Sequence, residues 1–192
     1  MIKLKDILTE IVRDEIFSFE DVKESKDVIS HKVFTIKPFI NPEDDKKITL
    51  KPFHFILGKS SLSIFELFQA DEIAGLKKKD CVEFLAKNKS EKEDGFIAGL
   101  TNVYDGKLFV FFNMARIENL TKEIIVPHEC LHLTRYLITL MENKSIDLTD
   151  KEWWKKVEFT KLKDNNEEMF AEVLERCAYI VFDQLENTTN ND

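Results

Sequence analysis

The chain has 192 residues, of which 43% are hydrophobic and 16 are phenylalanine, so it is long enough to bury the core of one domain. Its formal net charge of −8 argues against nonspecific nucleic-acid binding through a broad basic surface. Its three widely spaced cysteines make a disulfide framework unexpected and favour the reducing cytoplasm as the location.

The first sixty residues predict a helix followed by a β-hairpin. Apolar residues recur at helical spacing over residues 2–20, which predicts a docking helix, with a partner-binding arm as the alternative. Charges interrupt this apolar run, so we expect no signal peptide, and no stretch of the chain has the length of a membrane span. Residues 34–39 and 48–53 are similar β-branched and aromatic segments on either side of turn-forming residues, which predicts the hairpin. The proline in each segment favours sheet edges or bulges.

Two helices and a second hairpin are predicted next. Residues 61–88 have helical spacing with a break at Gly75 and the following lysine run, whose side chains we expect in solvent. Residues 96–103 and 107–114 are apolar strands that flank the turn sequence Tyr104-Asp105-Gly106.

Two longer helices complete the predicted elements. The first extends to about residue 143 and begins either at a cap near Asn119 or Thr121, with Pro127 kinking it, or near Pro127 itself. A polar connection over residues 144–164 contains Trp153 and Trp154, which we interpret as core anchors for the loop. The last helix covers about residues 165–185, and acidic residues lie at its start.

The strongest functional signal is the motif His128-Glu129-Cys130-Leu131-His132, which has the form H-E-x-x-H. Residues four apart lie on one face of a helix, so both imidazoles can bind one metal ion. Glu129 then lies beside that ion and can act as general base toward a water that the metal activates. A catalytic zinc usually has three protein ligands, so the third must come from elsewhere in the chain.

The motif and the last helix together resemble the gluzincin metallopeptidases, of which thermolysin is the best-known member. The resemblance depends on the H-E-x-x-H motif and on Glu168-x-x-Ala171-Glu172 downstream, and it covers about residues 96–185. It implies a zinc ion bound by His128, His132 and Glu168, with Glu172 supporting the first histidine. Glu167 is the alternative third ligand, because the Asn-Glu pair that thermolysin-type enzymes prefer falls one residue earlier than Glu168.

The resemblance also implies a fold and a substrate. The expected fold is α+β, a minimal zincin-like domain with a small antiparallel or mixed sheet packed on the motif helix and on the last helix. We assign this domain to residues 61–192 and treat residues 1–60 as an extension, with one continuous domain as the alternative. The expected substrate is a peptide or protein. In zincins an edge strand beside the motif helix pairs with extended substrate, and residues 108–114 are the candidate, with a simple buried strand as the alternative.

Other residues near the motif have less specific signals. Tyr136 and Tyr179 have the helical phase of a second electrophile, although core packing explains each of them as well. Cys130 points away from the face of the two histidines and is interpreted as a packing residue. His31 and His54 lack ligand spacing and receive no role.

The second hypothesis is a zincin-fold protein without turnover that acts as a regulatory, structural or partner-binding protein, since a fold does not guarantee its chemistry. The short charged start and the lysine-rich, glycine-poor sequence also resemble proteins that phages or mobile elements encode. The oligomeric state and the cleavage specificity are left open by the sequence.

Overall fold

The computed structural model describes residues 16–22, 26–87, 96–117, 119–142, 147–149 and 167–189. Its strands are β1 (Phe17–Asp21), β2 (Val28–Ile36), β3 (Phe39–Ile40), β4 (Lys47–Ile48), β5 (Phe53–Gly58), β6 (Glu72–Ile73), β7 (Leu76–Lys77), β8 (Gly99–Tyr104) and β9 (Lys107–Asn113). Its helices are α1 (Ser63–Phe68), α2 (Lys78–Lys87), α3 (Asn119–Glu142) and α4 (Glu167–Thr189). The chain is a mixed α+β protein, as the sequence predicted.

Five strands form one mixed sheet in the order β1-β2-β5-β9-β8. β5 and β9 are parallel, and the other three neighbouring pairs are antiparallel. The remaining strands form two small ladders, β3 with β4 and β6 with β7. The parallel pair lies in the sheet interior, where both faces are covered.

Apolar side chains cover both faces of the sheet. Along β9, Leu108, Val110 and Phe112 belong to the core that includes α3 and α4, whereas Phe109 and Phe111 belong to the core that includes α1 and α2. This alternation follows from the period of two along a strand, and it explains why β9 is apolar at nearly every position.

The expectation that residues 108–114 form the edge strand is wrong. β9 pairs with β5 on one side and with β8 on the other, so its backbone groups are used within the sheet. In the described part of the chain, β8 pairs with β9 alone and is therefore one edge of the sheet, and β1 is the other. β8 is also the strand that packs most closely on α3.

The predicted helix over residues 2–20 is wrong at its end, where residues 17–21 form β1. Phe17 and Phe19 alternate onto one face of this strand, and their ring centroids lie 5.3 and 5.5 Å from that of Phe34 on β2. Strand pairing therefore packs both rings against Phe34 and buries Phe17, whereas Phe19 stays 37% exposed. Residues 1–15 lie outside the described part.

The predicted first hairpin is confirmed, with a modified middle. β2 and β5 pair antiparallel, with Phe34 opposite Phe53, and the small β3–β4 ladder lies between them. Pro38 and Pro52 lie in irregular segments between the ladders, so they are not placed within strands at edges or bulges as expected. Their missing N–H groups therefore remove no ladder hydrogen bond. Residue 60 falls between β5 and α1, and strands from both sides of it belong to the same sheet.

The other local predictions are largely confirmed. α1 and α2 are separate helices joined by the β6–β7 turn, where Gly75 has φ +78°. The β8–β9 hairpin turns at Asp105 and Gly106, whose φ values of 48° and 75° fit a two-residue primed turn. α3 begins at Asn119 and contains Pro127, which agrees with the first of the two alternatives. α4 begins at Glu167, and Trp153 and Trp154 lie outside the described residues.

Candidate metal centre

Helix α3 brings the two motif histidines together. His128 is exposed, His132 is half-buried, and their Nε2 atoms lie 3.1 Å apart. Their ring centroids are 4.6 Å apart and the planes are nearly perpendicular, at 81°. The two nitrogens therefore converge on one point outside the helix, as the spacing of four residues requires.

This separation fits a shared metal ion. A tetrahedral zinc ion with Zn–N distances of about 2.0–2.1 Å requires the two nitrogens to be about 3.3 Å apart. The observed 3.1 Å differs from that by an amount that a small rotation of one ring can absorb. Burial lowers the pKa of His132, and the charges of His128 and Arg135 lower it further, which favours the neutral imidazole that binds metals.

Glu129 lies against the sheet and is only 5% exposed. The hydroxyl of Thr101 on β8 donates a hydrogen bond to Glu129 Oε2 at 2.7 Å and also lies 3.3 Å from the main-chain oxygen of Glu129. Burial raises the pKa of Glu129, while the Thr101 hydrogen bond and the charge of His128 oppose this rise. The carboxylate is thus held between the motif helix and the edge strand.

Gly99 supplies the space that the Glu129 side chain occupies. A Cβ atom on Gly99 would lie 2.6 Å from Ile125 Cγ2, 2.8 Å from Glu129 Cγ and 3.1 Å from Glu129 Oε1. The first two distances are shorter than real contacts allow, so any larger residue at this position displaces the helix or the carboxylate. The sequence interpretation missed both Gly99 and Thr101, and a glycine inside a strand pattern was the available signal.

In the described part of the chain, no third ligand lies beside the two motif histidines. α4 packs on α3, and Glu167 and Glu168 lie in its exposed first turn. Within the described ranges, no three His, Cys, Asp or Glu side chains converge in a group that could hold a metal ion. The structure therefore brings together His128, Glu129 and His132, and the ligand role of Glu168, or of Glu167, stays a prediction.

Glu172 is engaged by its own helix. Arg176 Nε donates a hydrogen bond to Glu172 Oε1 at 2.7 Å, and the Arg176 guanidinium lies over the ring of Phe39, 4.4 Å from its centroid. This arrangement fixes Arg176 between α4 and the β3–β4 ladder. Support of His128 by Glu172 stays a prediction.

The two tyrosines are both half-buried against the main core. Burial raises the pKa of Tyr136, Arg135 lowers it, and the nearby Glu129 carboxylate raises it further. Tyr179 contacts the sheet, with its ring centroid 6.3 Å from that of Phe17. Their role as electrophiles stays a prediction.

Cys130 is a packing residue, as predicted. Its side chain is buried between α3 and the rest of the main core. Burial raises the pKa of its thiol to about 12, with a further contribution from Glu129, so the thiol stays protonated at neutral pH.

The remaining two histidines form a second pair on the other side of the molecule. His31 Nε2 and His54 Nδ1 lie 2.8 Å apart across the β2–β5 ladder. Burial lowers the pKa of both rings, and Lys107 on β9 adds to this effect. The sequence showed no ligand spacing here, because the two residues meet only through strand pairing.

Apolar side chains flank the motif histidines on the outer surface of α3. Ile124 is 65% exposed and Leu131 is 44% exposed, one turn before and one turn after His128. Together they form a small apolar surface next to the two histidines.

Comparisons with models of known protein families, with curated proteins and with solved structures found no match for this chain. In the part of the chain that the structure describes, no helix is long and apolar enough to cross a membrane.

Proposed function

We propose that the chain is a zinc-dependent peptidase of the gluzincin type that hydrolyses peptide bonds. The observation that carries this proposal is the convergence of His128 and His132, with Nε2 atoms 3.1 Å apart, beside the buried carboxylate of Glu129. A mixed sheet with an antiparallel edge strand next to α3, and a second helix packed on α3, agree with the zincin-like domain that the sequence suggests.

His128 Nε2 and His132 Nε2 hold the zinc ion in this proposal, and Glu168 is the third ligand. A bound zinc ion supplies Lewis acidity, which polarises a carbonyl group and lowers the pKa of a water molecule. The half-burial of His132 lowers the pKa of its imidazole, which favours the neutral form that binds a metal ion.

Glu129 acts as the general base and then as the general acid. The Thr101 hydroxyl donates a hydrogen bond to Glu129 Oε2. Glu129 Oε1, which lies over Gly99, therefore accepts the proton of the attacking water. The same oxygen returns the proton to the nitrogen of the leaving amine. Burial favours this transfer, because it raises the pKa of the Glu129 carboxyl group above its ordinary value and so makes the carboxylate a stronger base.

The edge of β8 binds the peptide in extended form. The main-chain hydrogen bond from Asn113 N to Ala98 O, 3.0 Å long, sets the hairpin register so that the backbone groups of Gly99, Thr101 and Val103 point to the open edge. The N–H of Val103 already donates a hydrogen bond to Asn102 Oδ1 at 2.7 Å. An added peptide strand therefore pairs with the backbone groups of Gly99 and Thr101, the two residues that contact Glu129.

The surface of α3 favours apolar substrate side chains. Ile124 and Leu131 lie on the same face as His128 and expose 65% and 44% of their surface. A side chain next to the scissile bond can bury both of them, so we propose that peptides with large apolar residues are preferred.

One observation favours a second candidate, a zincin-fold protein that does not turn over and acts through binding. The described residues provide two converging ligands rather than three, and Glu172 pairs with Arg176. Retention of zinc without cleavage of a diverse peptide library is the result that distinguishes this candidate from the peptidase.

The decisive experiment combines metal analysis with Glu129→Gln. We expect about one zinc ion per chain in the wild type and in Glu129→Gln, and a loss of peptide hydrolysis of about 10²–10⁴-fold in the variant. Glu123→Gln is the matched control, since Glu123 is exposed on the same helix. Equal cleavage by wild type and Glu129→Gln would refute the mechanism.

The third ligand is tested by a matched pair of neighbours. Glu168→Gln should weaken zinc binding by at least tenfold, measured by competition with a chromogenic chelator, because a neutral amide is a poor zinc ligand. Glu167→Gln, one residue earlier in the same exposed turn, should change zinc affinity by less than about twofold if Glu168 is the ligand. The reverse result assigns the role to Glu167, and no effect in either variant excludes both.

A further inference from the structure

We infer that Thr101 is a positioning residue for the proposed general base, fixing the Glu129 carboxylate by one hydrogen bond, and that Gly99 is small in order to admit that carboxylate. This inference rests on the proposed function and extends it to the edge strand. Neither residue belongs to the H-E-x-x-H motif or to the proposed ligand set.

The hydroxyl of Thr101 has one proton and two acceptors from the same residue. Its Oγ1 lies 2.7 Å from Glu129 Oε2 and 3.3 Å from the main-chain oxygen of Glu129, so the shorter bond to the carboxylate dominates. Thr101 and Glu129 are 6% and 5% exposed, so water does not compete for this bond. The threonine side chain is also β-branched, which restricts its χ1 angle and keeps the donor in place.

Gly99 completes the same cradle from two residues away on the same face of β8. The atoms nearest to a Cβ at this position are Ile125 Cγ2 at 2.6 Å and Glu129 Cγ at 2.8 Å. A glycine inside a strand normally weakens it, because it adds backbone entropy and no packing. The close approach of the Glu129 side chain explains why glycine occupies this strand position.

The two contacts give the carboxylate oxygens different roles. Oε2 is tied to Thr101, and Oε1 lies over the backbone of Gly99. Because the backbone groups of these same two residues point to the open edge, a peptide that pairs with β8 contacts the residues that orient the base. Peptide docking and base orientation therefore depend on one short segment of β8.

The first test uses Thr101→Val, which keeps the shape of the side chain and removes the donor, together with Thr101→Ser, which keeps the donor. On a peptide that the wild type cleaves, Thr101→Val should lower kcat by about 10–100-fold, change KM by less than about threefold, and leave the zinc content unchanged. Thr101→Ser should restore kcat to within about threefold of wild type. Unchanged kcat in Thr101→Val, or equal losses in both variants, overturns the inference.

The second test needs neither substrate nor metal. In chelator-treated protein, Thr101→Val should lower Tm by about 2–6 °C in the wild-type background, because a buried carboxylate loses its donor. The same substitution should change Tm much less in a Glu129→Met background, where the carboxylate acceptor is absent and only the longer 3.3 Å contact to the main-chain oxygen remains. Equal lowering in both backgrounds shows that Thr101 does not act through Glu129. If the Thr101 and Glu129 substitutions are coupled in Tm but the wild type cleaves no peptide, the peptidase proposal is refuted and the role of Thr101 in holding Glu129 stands.

Discussion

Acid should destabilise the fold through the contact between the buried His31 and the half-buried His54. Burial is the main cause that lowers the pKa of His54 from 6.5 to about 4, and the charges of His31 and Lys107 lower it further. Folding therefore penalises the protonated form of His54. The stability that the neutral ring contributes is complete above pH 6.5 and is lost as the pH falls toward 4.

The size of the effect follows from the pKa and the geometry. The difference between 6.5 and about 4 corresponds to about 3 kcal/mol as an upper limit, and the partial exposure of the ring reduces this to about 1–2 kcal/mol. A second proton also breaks the 2.8 Å contact between the rings, because two imidazolium ions have no acceptor nitrogen. Within the described residues, the buried Nδ1 of His31 has no hydrogen-bond partner, so protonation there adds an unsatisfied donor.

The assay is urea unfolding in chelator-containing buffer at pH 7, 6, 5 and 4, for the wild type and for His54→Gln. The glutamine is neutral over this range and can still hydrogen-bond to His31. We expect its loss of stability between pH 7 and 4 to be smaller than that of the wild type by about 1–2 kcal/mol. Identical pH dependence in wild type and His54→Gln would show that this pair does not control acid stability.

Three further predictions concern packing. Gly58→Ala should lower the free energy of unfolding by about 1–3 kcal/mol in urea titrations, because a Cβ there would lie 2.4 Å from the ring of Phe111; unchanged stability contradicts this. Asn113→Leu should lower the free energy of unfolding by about 1–3 kcal/mol in the same assay, because it removes two buried hydrogen bonds. The Asn113 amide donates to Ser61 Oγ at 3.2 Å and to Ile97 O at 2.9 Å, and these bonds join β9 to the segment before β8. An unchanged free energy of unfolding would show that these bonds do not stabilise the hairpin. All three cysteines are free and buried, so a thiol reagent such as DTNB should react with none of them in the native protein and with all three in guanidinium chloride, and rapid native labelling argues against the described core.

The parts of the site that lie on one helix followed directly from the sequence. The spacing of His128 and His132 fixes their relation on any α-helix, and the structure gives 3.1 Å between their Nε2 atoms. The turn at Asp105 and Gly106 was equally local, because few residues adopt the two positive φ values that it requires.

The parts that depend on strand order did not follow from the sequence. Apolar content showed that residues 108–114 form a strand but not which neighbours it has, and the parallel pairing of β5 with β9 joins segments far apart in the chain. The contact of Thr101 with Glu129 depends on that order, because it requires β8 at the edge beside α3. β1 was missed because the helical spacing of the residues that precede it was extended to residue 20, although the alternation of Phe17 and Phe19 has the period of a strand.

The order of β8, β9 and α3 in the chain affects how the proposed site assembles during folding. The segment from Gly99 to His132 contains an edge strand of the sheet, the proposed base Glu129, its proposed positioning residue and both motif histidines. Because these groups are close in sequence, their mutual contacts close short loops and should form early when the chain folds, before the distant β5–β9 pairing is complete.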